Sequence, residues 1–148
     1  MIPMSLEDVA VAVAGTLVAA DPLAEITDVA VDSRAAGPGS LFVAVVGETH
    51  DGHEYAEAAL AQGAVATLAS SPVAGPHILV EDTVQAAGRL ARGVIAGCPD
   101  LTVVALTGSS GKTSTKDILQ VMLSAFGPTV APQGSFNNEL GLPRTVFE

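Results

Sequence analysis

The chain has 148 residues, 49% of them hydrophobic and 15% charged. That is enough for one full domain, or one domain and part of another, and too apolar for a disordered tail. Six Lys and Arg against sixteen Asp and Glu give a net charge of −10, which argues against a broad nucleic-acid- or membrane-binding face. The single cysteine, Cys98, excludes an intrachain disulfide and a cysteine-rich zinc site.

Ser5-Leu6-Glu7-Asp8 ahead of Val9, Val11 and Val13 predicts a capped first helix. Ile26 to Val31 alternates and predicts a strand, followed by Asp32-Ser33-Arg34 and a turn at Gly37-Pro38-Gly39. Leu41 to Val46 is a continuous apolar run, the pattern of a strand buried on both faces. Gly47 to Gly52 reads as a polar loop, Tyr55 to Gln62 as a helix stopped by Gly63, and Ala64–Leu68 and His77–Val80 as strands. Asp82 is placed to cap a helix running to about Ala96, with Gln85 as its reciprocal partner. A strand at Thr102–Leu106, a Gly/Ser loop, a helix from Lys112 to about Phe126 and a short strand at Thr129–Ala131 follow. Leu119, Val121, Met122 and Leu123 are expected on the core face of that last helix.

Strands alternating with helices predict an α/β fold with mainly parallel pairing. The expected organisation is a small N-terminal mixed α/β domain over residues 1–97. The start of a P-loop-type parallel-sheet ATPase domain follows over residues 98–148, with the boundary near Gly97–Asp100. The second stretch is too short for a complete nucleotide-binding domain, and a further helix begins near Glu148, so the chain reads as part of a longer protein. With no signal-peptide pattern and no apolar run of membrane-spanning length, the expected location is the cytoplasm.

The stretch from Thr107 to Thr113, Thr107-Gly108-Ser109-Ser110-Gly111-Lys112-Thr113, lies between an apolar run and an amphipathic helix, the setting a phosphate-binding loop requires. Small residues let backbone N–H groups face phosphate oxygens, and the helix start adds partial positive charge. Lys112 can reach β- and γ-phosphates, and the Thr113 hydroxyl can serve Mg²⁺. Leu106 stands where the general pattern has its first glycine. Lys112 and Lys116 fall in one short segment, which leaves room for a single small-anion site despite the acidic composition.

From Val103 to Thr113 the sequence resembles the ATP-binding loop of the Mur ligases, a pattern that begins Thr-Gly. Asp32-Ser33-Arg34, the run Gly37 to Ala44, Gly47, Asp51-Gly52 and Gly63-Ala64 are similar to the family's UDP-binding N-terminal domain. Gly134 to Pro143, with Asn137-Asn138, and Val80-Glu81-Asp82-Thr83 resemble the branch that adds D-alanyl-D-alanine to UDP-MurNAc-tripeptide. The resemblance implies ATP and Mg²⁺ as cofactors and an acyl-phosphate route. ATP phosphorylates the substrate carboxylate, the D-Ala-D-Ala amine attacks, and phosphate leaves. It assigns Thr107, Gly108, Ser109, Ser110, Gly111, Lys112, Thr113 and Ser114 to ATP, with Lys112 catalytic and Thr113 at the metal. It assigns Ser33, Glu48, Thr49, His50, Asn137 and Asn138 to the substrate. Two other readings stay open at this point: the tripeptide-forming ligase of the same family, and a phosphate- or nucleotide-binding module without catalysis.

Each assignment has a plainer counterpart. Asp32-Ser33-Arg34 can be a turn in which Asp32 caps local N–H groups and Arg34 is solvated. Glu48-Thr49-His50 can be an ordinary polar loop, and the two asparagines can serve left-handed turns. His50, Asp51 and His53 suggest a metal site only weakly, because further ligands are lacking.

Overall fold

The structure is a computed structural model that describes residues 1–132 and 141–147. Ser5 caps the first helix as expected: its hydroxyl accepts from Asp8 N at 3.1 Å, and α1 runs Leu6–Val13. Val9 and Val13 face the core while Val11 is exposed, because positions three or four apart share a helix face and positions two apart do not. A two-residue strand, β1 (Met4–Ser5), precedes α1, and β2 (Thr16–Val18) follows it.

The strand expected over Ile26–Val31 is two strands in two sheets. β3 (Glu25–Ile26) pairs antiparallel with β1, and β4 (Asp28–Ala30) pairs parallel with β5 (Ser40–Val43). The break falls at Thr27, where the N–H groups of Thr27 and Asp28 both turn to the Gly39 carbonyl. The turn around Gly39 has φ +82 there, a region that suits glycine.

Helix α2 (Ala56–Ala61) leads to β6 (Ala66–Ala69), then β7 (His77–Leu79), and α3 spans Thr83–Ala96. The main sheet has the order β2-β7-β6-β5-β4. Its four later strands are parallel, and β2 joins β7 antiparallel at one edge.

β5 is buried along its whole length, as its apolar run implies, although it ends at Val43 rather than Val46. Leu41 and Val43 enter one core with α1 and α3 residues, Leu6, Val9, Leu90 and Val94 among them. Phe42 and Ala44 enter a second, smaller core with Ala36, Ala59 and Ala64. The two-residue period of a strand sends alternate side chains to opposite helical layers.

Asp82 caps α3 by accepting from Val84 N and Gln85 N at 2.8 and 2.9 Å. The reciprocal limb differs from expectation: Gln85 Nε2 donates to the Asp82 carboxylate at 3.5 Å rather than to a backbone group.

Thr102–Leu106 and Thr129–Ala131 form no strand. An apolar run needs a neighbouring strand to satisfy its N–H and C=O groups, and none lies alongside among the described residues. α4 spans Lys112–Leu123. Its expected core face is only partly covered: Val121 is 76% and Met122 59% exposed, while Leu119 and Leu123 are half-buried. α5 (Gly141–Phe147) packs on α3, and Phe147 joins the larger core.

Candidate functional site

Because β4 to β7 run parallel, the segments that follow them leave the sheet at one edge. That carboxyl edge is where open α/β sheets bind ligands. It gathers the turn at Ser33–Ala35, the loop from Val46 to Asp51 and Ser70 at the end of β6. Ser33 and the Glu48–His50 loop are thus brought to neighbouring strand ends, a juxtaposition hidden in their separate sequence positions.

Asp32 caps the short turn of Ser33–Ala35. Its carboxylate accepts from Arg34 N at 3.0 Å and from Arg34 Nε and Nη2 at 3.0 and 2.6 Å. The guanidinium contact, then the backbone N–H, lowers the Asp32 pKa to about 2. Arg34 is therefore ion-paired as well as solvated. Among the described residues no partner engages the Ser33 hydroxyl. Glu48, Thr49 and His50 are all exposed, and His50 Nδ1 donates to the Thr49 carbonyl at 2.6 Å.

His53 lies three residues beyond that tip. Its Nδ1 donates to Asp51 Oδ1 at 2.5 Å, and its Nε2 accepts from Ser70 N at 2.9 Å. The Asp51 pKa is lowered by the His53 backbone N–H and then by the ring. The His50 and Asp51 side chains thus serve local bonds, the His53 ring bonds Asp51 and the distant Ser70, and no group of three metal-ligating side chains gathers among the described residues.

The second region is the start of α4. Gly111 is its N-cap residue, with φ +76 and no side-chain cap. Left-handed backbone at that point turns the chain into the helix, and glycine takes it without strain. A helix start leaves its first N–H groups without intrahelical partners, so those of Lys112, Thr113 and Ser114 face outward with the positive end of the helix. Lys112 Nζ donates to the Gly108 carbonyl, folding the side chain back across the loop. Thr107 to Gly111, Thr113 and Ser114 are exposed.

Lys116, by contrast, is turned away from that opening. Its Nζ donates to the Pro132 carbonyl at 2.5 Å and pairs with Asp117 at 2.7 Å. The two lysines thus bond in different places, Lys112 within the loop and Lys116 outside it. Asn137 and Asn138 lie outside the described residues. Sequence reasoning missed the His53–Ser70 link, whose only local signal was an Asp-x-His spacing first weighed as a metal motif. Among the described residues no helix is long and apolar enough to cross a membrane.

Two family models match the chain. A family model described as "Mur ligase family, catalytic domain" matches residues 25–94, and one described as "Mur ligase middle domain" matches residues 106–148. A UDP-N-acetylmuramoyl-tripeptide--D-alanyl-D-alanine ligase of Mycobacterium leprae is 44% identical over 141 residues, covering 78% of this chain. The match takes in 27% of that relative's length. A crystal structure of MurF from Acinetobacter baumannii superposes with a TM-score of 0.90 at 34% identity, covering 99% of this chain and 33% of its own. The MurF ligase of Thermotoga maritima in complex with ADP gives 0.69 at 35% identity, covering 81% of this chain and 28% of its own.

Proposed function

The chain belongs to the Mur ligase family, and on that footing we propose that it serves the ATP-dependent joining of D-alanyl-D-alanine to UDP-MurNAc-tripeptide. The setting is cytoplasmic peptidoglycan precursor synthesis. Residues 1–97 take the UDP end of the substrate and residues 98–148 take the phosphates of ATP. The observation that carries this reading is the uncapped start of α4 behind Gly111, with Lys112 folded over the loop. The names of the relatives support the choice of substrate.

In this reading Thr107 to Ser114 wrap the phosphates with backbone N–H groups and small side chains. Lys112 leaves the Gly108 carbonyl and moves onto the β- and γ-phosphates. There it offsets the charge that builds as the γ-phosphoryl group passes to the substrate carboxylate. The D-Ala-D-Ala amine then attacks the acyl carbonyl and phosphate departs. The exposed Thr113 hydroxyl is a hard oxygen donor of the kind Mg²⁺ takes, and it would hold the ion that neutralises phosphate charge. Ser33 and the exposed Glu48-Thr49-His50 tip contact the uridine diphosphate, and Asn137 and Asn138 approach the rest of the substrate.

Titrating UDP and Mg-ATP separately against the chain, with amide NMR shifts as readout, tests the assignment. UDP is expected to move Ser33, Arg34 and Glu48–His50, and Mg-ATP to move Gly108–Ser114. UDP shifts confined to Gly108–Thr113, with none near Ser33, reverse the two sites.

A further inference from the structure

From the geometry around His53 we infer a positioning residue for nucleotide binding: through Ser70, His53 fixes the loop whose tip meets UDP. The inference rests on the reading that Glu48-Thr49-His50 is that tip.

The loop is closed at its base. Val46 and Asp51 form an antiparallel bridge. Gly47 N donates to the His50 carbonyl at 2.9 Å, and Gly52 N donates to the Val45 carbonyl at 2.9 Å. Gly52 is pressed on the segment that leaves β5, where a Cβ would stand 2.6 Å from Val45 N and 2.7 Å from Val45 O. These bonds shape the loop but tie it only to its own strand.

His53 supplies the link to the next strand. Its ring is 9% exposed. Nδ1–H is held by Asp51, the residue that also closes the bridge. That leaves Nε2 as the acceptor, and it takes the N–H of Ser70 at the end of β6, seventeen residues on. β6 lies beside β5 in the sheet, so the loop is pinned to two strands at once while its tip stays exposed.

An Asp-His-Ser row can also mark a nucleophile and its base. Here the backbone N–H of Ser70 already occupies the Nε2 lone pair, with Ser70 Oγ farther off at 3.2 Å. The imidazole is thus committed to holding backbone rather than to taking the hydroxyl proton.

Two substitutions separate the link from mere packing. H53Q keeps an acceptor near the Nε2 position and so keeps Ser70 bonded. H53N keeps only the contact with Asp51. If the loosened tip holds its binding geometry a tenth of the time, UDP affinity falls about tenfold in H53N and stays near wild type in H53Q. Amide exchange at Ser70 should speed up in H53N alone. A third variant, E48A/T49A, tests the underlying reading, and it should lose UDP affinity with Ser70 exchange unchanged.

Wild-type affinity in E48A/T49A sinks the tip assignment and this inference with it. Lost affinity in E48A/T49A together with wild-type affinity in H53N overturns the positioning role and leaves the assignment standing. Equal losses in H53N and H53Q also overturn it, since packing rather than the Ser70 bond then matters. If H53N does not fold, D51A tests the loop side of the link instead. It removes the bonds from Asp51 to the His53 ring and backbone N–H, so UDP affinity should fall while Ser70 stays bonded and its exchange stays slow. Wild-type affinity in D51A overturns the positioning role.

Discussion

Lys112 Nζ donates to the carbonyl oxygen of Gly108, four residues earlier on the same loop. The ammonium thus lies over the loop in which phosphate oxygens are proposed to sit. Lys112→Ala removes the cation and leaves the Gly111 turn untouched, since the side chain has no other partner among the described residues. Hydrogen bonds to charged groups contribute about 1.5–3 kcal/mol, so Mg-ATP affinity should fall at least about tenfold. Isothermal titration checks this, and undiminished affinity removes Lys112 from the phosphate site.

The Asp32–Arg34 pair sets a pH signature. Its folded-state pKa of about 2 lies below the ordinary aspartate value of 3.8. The contribution of the pair is therefore complete above pH 3.8 and is lost as pH falls toward 2. Carbon-13 titration of the Asp32 carboxyl should give a midpoint near 2. Arg34→Gln should raise it toward the ordinary value, because the guanidinium is the largest cause of the depression. High salt should raise it as well. An unchanged midpoint in the variant contradicts the ion pair.

Thr67 is fully buried in the middle of β6, and its Oγ1 has no hydrogen-bond partner among the described residues. Its neighbours in register are Phe42 and His77. A buried hydroxyl without a partner costs stability, and valine has the same shape and a better strand propensity. Thr67→Val should stabilise the fold by about 1 kcal/mol, read as a higher urea midpoint. A loss of similar size means that the hydroxyl has found a partner.

Hydrogen exchange should divide the chain. Val103 and Val104 are 62% and 54% exposed in a stretch without ladder bonds, and α4 buries no residue. Amides of residues 101–110 should exchange fastest and those of β5 and β6 slowest, because opening free energy follows buried contacts and paired backbone. Uniformly slow exchange through residues 101–123 contradicts this ordering.

Much of this molecule is legible in short stretches of sequence. Ser5 and Asp82 announce their helices because capping acts over three residues, and the apolar run at Leu41–Val43 announces a strand buried on both faces. Gly111-Lys112-Thr113 announces a helix start that can face phosphate, since backbone freedom, charge and hydroxyl all sit within one turn. Where a feature needs a partner far along the chain, local pattern is silent or misleading. β2 has an unremarkable composition and exists by pairing with β7, some sixty residues away. Thr102–Leu106 has the composition of a strand, yet with no strand beside it among the described residues it forms none. Ile26 and Val29 belong to different sheets because Thr27 and Asp28 both turn to Gly39. Only the parallel arrangement of β4, β5 and β6 brings Ser33, the Glu48–His50 tip and the His53–Ser70 link to one edge. Caps and turns are set by neighbours in sequence, whereas strand pairing and the site it assembles are set by chain segments that meet only after folding.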